Sequence, residues 1–319
     1  MKFANLIEVL KGFLSETHQL KRIILYSAIA LGLAIVSFSG YYYWDRYVHL
    51  GDQSPVSKSI DELEGLARQH PDDPELRMAL AESYLVNKQY GDAIDQASAV
   101  LKVSAENDRA MFVLGISYAS QEKWEQAIDP LEKFVAIRSE SSTANMDTSL
   151  ETALYFLGSS YVNLDRYADA IPALSQAVQI NSTDADAFYL LGYASGKAGQ
   201  HEKAVENYQQ AVRFVPNFTE AYQGMVESYT VLDQLDYASY AKGMLAFSLK
   251  DYETARVELE KATLGLPDYA PAFIGLGLTY EELGDLKSAQ TNLERAIQIN
   301  PNDFTAIQAL GRVQSAIQP

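Results

Sequence analysis

From about residue 57 onward the chain repeats itself with a period of 34, and no other feature narrows the possible folds as much. Leu80, Leu114, Leu157, Leu191, Leu276 and Leu310 each open a similar phrase. In three of them Gly follows at once, Tyr comes four after the Leu, and Ala nine after the Tyr: Leu114-Gly115, Tyr118, Ala127; Leu157-Gly158, Tyr161, Ala170; Leu276-Gly277, Tyr280, Ala289. Leu80-Ala81, Tyr84, Ala93 keeps the phrase with Ala for Gly, and Leu191-Gly192, Ala204 keeps it with Ser195 in place of Tyr. A small residue at a fixed point lets a second helix approach closely, the Leu and Tyr fill the contact, and the Ala marks where the two helices cross. Each period therefore predicts two antiparallel helices of about 14 residues, with "VPNF" and "NPND" as breakers between units.

These phrases resemble the tetratricopeptide repeat (TPR) family, over residues 57–319. The resemblance implies an all-α fold, a TPR α-solenoid of helix pairs. Solenoids need terminal caps, and the segment with Ile60, Leu63, Leu66 and Ala67 and the segment Phe304 to Ile317 read as such helices.

Two departures interrupt the period. Leu114 and Leu157 are 43 residues apart, so nine residues are inserted around "SESSTANMDTSL", 139–150, a longer polar loop or a contact loop. Farther on, Thr219 to Leu232 reads as a first helix and Tyr237 to Leu249 as its second, yet the latter also opens a fresh unit, with Gly243 as the small residue and Ala255 as the crossing point. One helix is expected to serve two units.

In this family the first helices line a concave groove, with side chains two before and two after the Leu pointing into it. Carried onto this chain, the candidate peptide-binding residues are Met78, Phe112, Ile116, Tyr155, Tyr189, Tyr193, Tyr240 and Met244. Met78 and Glu82 stand where chaperone-binding relatives place Lys and Asn, so no carboxylate clamp is expected. The mostly apolar set suits an extended or helical peptide with apolar anchors, and equally suits side chains that fill space between neighbouring helices.

Ahead of the repeats, Ile23 to Trp44 carries no charge and as a helix is long enough to span a bilayer. The expected organisation is an amphipathic segment at 1–22, a transmembrane anchor at 23–44, a linker at 45–56 and the solenoid at 57–319. Lys2, Lys11, Lys21 and Arg22 before the run place the N-terminus in the cytoplasm, and Tyr41, Tyr42, Tyr43 and Trp44 form an interfacial belt. Cleavage after Ser39, as in a signal peptide, is the competing reading. The expectation is a single-pass protein of a bacterial inner membrane with an extracytoplasmic solenoid.

Catalytic chemistry finds no constellation. His18, His49, His70 and His201 are scattered without metal-ligand spacing, "SGKAG" lacks the rest of a phosphate loop, and there are no cysteines. No cofactor, metal or small-molecule substrate is expected. A net charge of −17 argues against nucleic acid and for solubility or a basic partner. The expected function is a non-enzymatic, membrane-tethered scaffold that binds a protein or peptide, in assembly or translocation of envelope proteins. The alternatives are an accessory subunit of a membrane enzyme held through its anchor, and an organelle import receptor with a cytosolic solenoid.

Overall fold

Backbone groups at the start of a helix need acceptors, and this chain supplies them from short polar side chains. Asp73, Asn107, Asp147 and Asp184 each accept from backbone N–H groups two or three residues on, fixing where four first helices begin. The structure, a computed structural model, describes residues 55–317. The expected anchor 23–44, its belt of Tyr41, Tyr42, Tyr43 and Trp44, and the segment 1–22 lie outside the described residues. Among the described residues no helix is long and apolar enough to cross a membrane.

The chain divides into two units, with the boundary after Arg68. The first contributes one described helix, α1 (Pro55–Gln69). The second is built of helices alone among the described residues: α2 (Pro74–Val86), α3 (Tyr90–Val103), α4 (Asp108–Ser120), α5 (Trp124–Ser139), α6 (Thr148–Asn163), α7 (Tyr167–Ile180), α8 (Ala185–Lys197) and α9 (His201–Phe214). There follow α10 (Thr219–Val231), α11 (Leu235–Ser248), α12 (Tyr252–Gly265), α13 (Ala270–Leu283), α14 (Leu286–Ile299) and α15 (Phe304–Ile317). It is a TPR-like α-solenoid.

The small residue of each phrase does what its spacing predicts. A Cβ on Gly115 would lie 2.5 Å from Leu131 Cγ, one on Gly277 2.7 Å from Leu293 Cγ, and one on Gly243 2.5 Å from Leu259 Cγ. In all three the partner is 16 residues on, in the following helix, and that Leu is fully buried. The signature tyrosines reach back to the preceding second helix: Tyr280 donates to Glu260 at 2.6 Å, and Tyr161 donates to Glu132.

The nine-residue insertion is largely absorbed as helix. α5 and α6 each run to 16 residues, a short 3-10 turn, Ala144–Met146, joins them, and Arg138 bridges Asp147 at 2.6 Å and Asp108 at 3.4 Å.

The turns record the second departure. Within a pair the first helix ends on a left-handed residue: Lys88, Glu122, Asp165, Gly199 and Asp233, then Lys250 and Gly284. These recur at the repeat spacing except across the insertion, from Glu122 to Asp165, and from Asp233 to Lys250, where the step is half a unit. Both ends of α11 thus carry the turn found inside a pair, and α11 packs against α10 and α12 alike. First helices of successive units touch in the row α2, α4, α6, α8, α10, and the row resumes as α11, α13, α15; consecutive second helices make no comparable contact. α11 is the second helix of one pair and the first of the next.

Candidate functional site

Of the eight expected groove residues on the row of first helices, four are enclosed. Met78 is fully buried, and Ile116, Tyr240 and Met244 are buried at 7%, 6% and 8% exposure. These four are corrections. Ile116 belongs to the core cluster that runs from α4 to α8. Tyr240 faces Tyr269 edge-on at 5.1 Å, and full burial raises its hydroxyl pKa well above the usual tyrosine value. Met244 packs on Gly275, where a Cβ would meet its sulfur at 2.6 Å. On α11, Tyr240 is closed over by the Tyr269 ring and Met244 by the close approach of Gly275. Met78 is an unbranched side chain that fills its gap completely.

Phe112, Tyr155, Tyr189 and Tyr193 remain half-buried. Phe112 lies 5.0 Å from the Phe134 ring in a cavity of about 260 Å³, whose walls include Arg109 and Arg138. Both arginines are already paired, Arg109 with Glu75 and Glu82.

Tyr155, Tyr189 and Tyr193 lie on α6 and α8 in one stretch of the face. Tyr189 is 6.3 Å from Tyr193, 6.0 Å from Tyr208 and 5.0 Å from Phe218, ring centre to ring centre. Tyr193 meets Tyr167 edge-on at 6.1 Å and takes the Lys197 ammonium over its ring at 5.3 Å. Tyr193 packs against both of the two large core clusters, so this patch overlies the place where the core passes from one to the other.

Two members were not expected. Tyr208 comes from α9, a second helix, and passes between α8 and α10 through a gap kept open by two glycines. A Cβ on Gly192 would lie 2.8 Å from its Cδ1, and one on Gly224 2.5 Å from its hydroxyl oxygen. Phe218 precedes α10 at the position where α2, α4, α6 and α8 carry a capping side chain, and it makes no such hydrogen bond. The signal for Tyr208 was present: it occupies the position, 16 after the small residue, that is Leu131, Leu174, Leu259 and Leu293 in other units.

Carboxylates border the patch. Burial and the Glu220 and Glu227 carboxylates raise the Tyr189 hydroxyl pKa, and burial followed by Asp186, Asp184 and Glu151 raises that of Tyr155. Glu151 itself is pushed up to about 6 by burial and by the adjoining Asp184. Asp184 also caps α8, accepting from Asp186 and Ala187 at 3.0 Å. Among the described residues no three His, Asp or Glu side chains are grouped to hold a metal ion.

Residues 60–231 match the family described as T7SS, ESX-1 secretion system protein EccA1, N-terminal domain, and residues 246–313 match the tetratricopeptide repeat family. A crystal structure of MamA protein is 28% identical, covering 59% of this chain and 92% of that one, with a TM-score of 0.44. MamA from Desulfovibrio magneticus RS-1, residues 41 to the end, is 21% identical over 56% of this chain and 94% of that one, with a TM-score of 0.47. YrrB, described as a TPR protein with an unusual peptide-binding site, is 18% identical over 78% and 98%, with a TM-score of 0.43. No curated protein matches. The expected placement, a single-pass inner-membrane protein with its solenoid outside, is corrected: no described helix is long and apolar enough to cross a membrane, and the matched domain is that of a secretion-system protein. With a match over more than half of its residues, the chain belongs to the EccA1 N-terminal domain family.

Proposed function

We propose that this TPR-type helical repeat protein is an interaction scaffold that takes a peptide segment of a partner protein on the first-helix face between α6 and α10. The observation that carries this reading is the aromatic patch of Tyr155, Tyr189 and Tyr193, half-buried where Met78 and Tyr240 on other first helices are enclosed. Aromatic rings supported from behind are rigid anchors that lose little entropy on binding, and Tyr208 and Phe218 support Tyr189. The matched family is that of a secretion-system protein, so components handled by such a system are the first partners to test.

Peptides selected on the full chain from a displayed library test the reading. Tyr189→Ala and Tyr193→Ala should each weaken the selected peptides by about 1–3 kcal/mol, with a thermal midpoint close to that of the parent. Tyr161→Ala, which removes a buried signature tyrosine at 5% exposure, should lose about 3–5 kcal/mol of stability while its folded fraction binds normally. Peptides that bind the Tyr189→Ala and Tyr193→Ala chains as tightly as the parent would refute it.

A further inference from the structure

The carboxylates of the first-helix face are not treated alike. Near its start, Glu75 and Glu82 are paired with Arg109 at 3.1 and 2.9 Å, and near its end Glu281 is paired with Arg312 at 2.9 Å. Between α6 and α10 the face carries Glu151, Asp186, Glu220 and Glu227, and none of them enters an ion pair among the described residues. This unpaired stretch coincides with the aromatic patch, and the ring of Tyr193 there already receives a cation, from Lys197. A tyrosine face attracts a cation through its quadrupole, and carboxylates at its border add a direct electrostatic attraction.

We propose that the partner segment presents an arginine or lysine to this stretch, its charged head against the Tyr189 and Tyr193 rings and within reach of Asp186, Glu220 and Glu227. The inference rests on the reading of this face as a peptide site, and it adds the chemistry of the occupant. Apolar flanks of the same segment lie along Tyr155 and Phe218. The tyrosine rings take the charged head on their faces while the bordering carboxylates neutralise it, an arrangement for which an acidic residue or a short apolar one is unsuited.

The test uses the full chain and three fluorescein-labelled dodecapeptides on one Leu/Gly/Ser framework, differing only at two central positions, which are Arg, citrulline or Glu. The Arg peptide should bind roughly tenfold tighter than the citrulline peptide at low salt, with the advantage shrinking as salt rises, and the Glu peptide should bind weakest. Asp186→Asn, Glu220→Gln and Glu227→Gln combined should bring the Arg and citrulline peptides to within about twofold of each other. Glu125→Gln, Glu202→Gln and Glu206→Gln combined, on exposed positions of second helices, make the same change in net charge and should keep the advantage. Equal binding of Arg and citrulline peptides to the parent overturns the basic occupant; if Tyr189→Ala still weakens both, the peptide site itself stands. Equal loss of the Arg advantage in the two triple variants also overturns it, because the attraction is then that of the whole acidic chain. Binding of none of the three peptides overturns it as well.

Discussion

The substitution Gly243→Ala measures whether α11 packs closely on α12, as a first helix does on its second, or lies on a surface. A Cβ at this position would stand 2.5 Å from Leu259 Cγ, 3.0 Å from its Cδ2 and 3.2 Å from its backbone nitrogen. Carbon atoms in good contact are about 3.5–4.0 Å apart, so the new methyl overlaps Leu259 by roughly 1 Å. Leu259 is fully buried and the third neighbour is backbone, which leaves little room to yield. Overpacking of this kind costs about 1–3 kcal/mol. Replacing a helical glycine by alanine returns about 0.5–1 kcal/mol, so the net loss is on the order of 0–2 kcal/mol. Gly311→Ala isolates the returned part, because Gly311 is exposed in the middle of α15 with nothing within 4 Å of its added Cβ. Urea unfolding of the full chain, followed by circular dichroism, should place the Gly311→Ala variant above the parent and the Gly243→Ala variant about 1–3 kcal/mol below Gly311→Ala. Equal gains from the two substitutions would refute the argument that α11 pairs with α12.

Two further outcomes are expected. Lys88 and Lys250 hold left-handed backbone at φ 60 and 63, which favours glycine, so Lys88→Gly and Lys250→Gly should each raise the urea midpoint, by up to about 1 kcal/mol; a fall at either position contradicts the turn described there. The Glu151 carboxyl has a folded pKa of about 6, above its ordinary value, so the native state binds this proton more tightly than the unfolded chain does. The contribution is therefore fully present below the ordinary carboxylate pKa and is lost as pH rises through about 6. Because the group is partly exposed, solvent screening reduces the effect to on the order of 0.5 kcal/mol, and Glu151→Gln should flatten that part of the stability-pH curve; an unchanged slope counts against the crowding with Asp184.

The helix pairs were legible in the sequence because each rests on a contact between residues at a fixed separation, a glycine and the leucine 16 later, and a side chain that must be absent leaves a mark in the sequence. The double role of α11 was legible from Gly243 and Ala255, which repeat the spacing of Gly115 and Ala127, and Leu259 closes on Gly243 as Leu131 does on Gly115. The site was less legible. Whether a side chain two places from the signature Leu is enclosed or accessible depends on the size of its neighbours across the next helix, which a period does not encode. Tyr240 and Tyr189 occupy equivalent positions, yet the first is closed over by Tyr222 and Tyr269 while the second stays half-open. Tyr208 reaches the patch from a second helix, and only its departure from the leucine of the other units hinted at it. The ion pairing of Arg109 and Arg312 joins residues about thirty apart and depends on the side-to-side placement of units.

A helix that belongs to two pairs also changes how the solenoid comes apart. In an array of independent units, each boundary is a place where unfolding can stop, and the array frays from its ends one unit at a time. At α11 there is no such boundary: detaching it from α12 uncovers Gly243, which lies against Leu259, and detaching it from α10 uncovers Tyr240, which lies beside Tyr222. Its loss would strip the neighbours on both sides at once. A pulling force applied at the C-terminus would therefore peel α15 and the helices before it in small steps, then meet at α11 a single larger barrier beyond which the two halves of the array yield together.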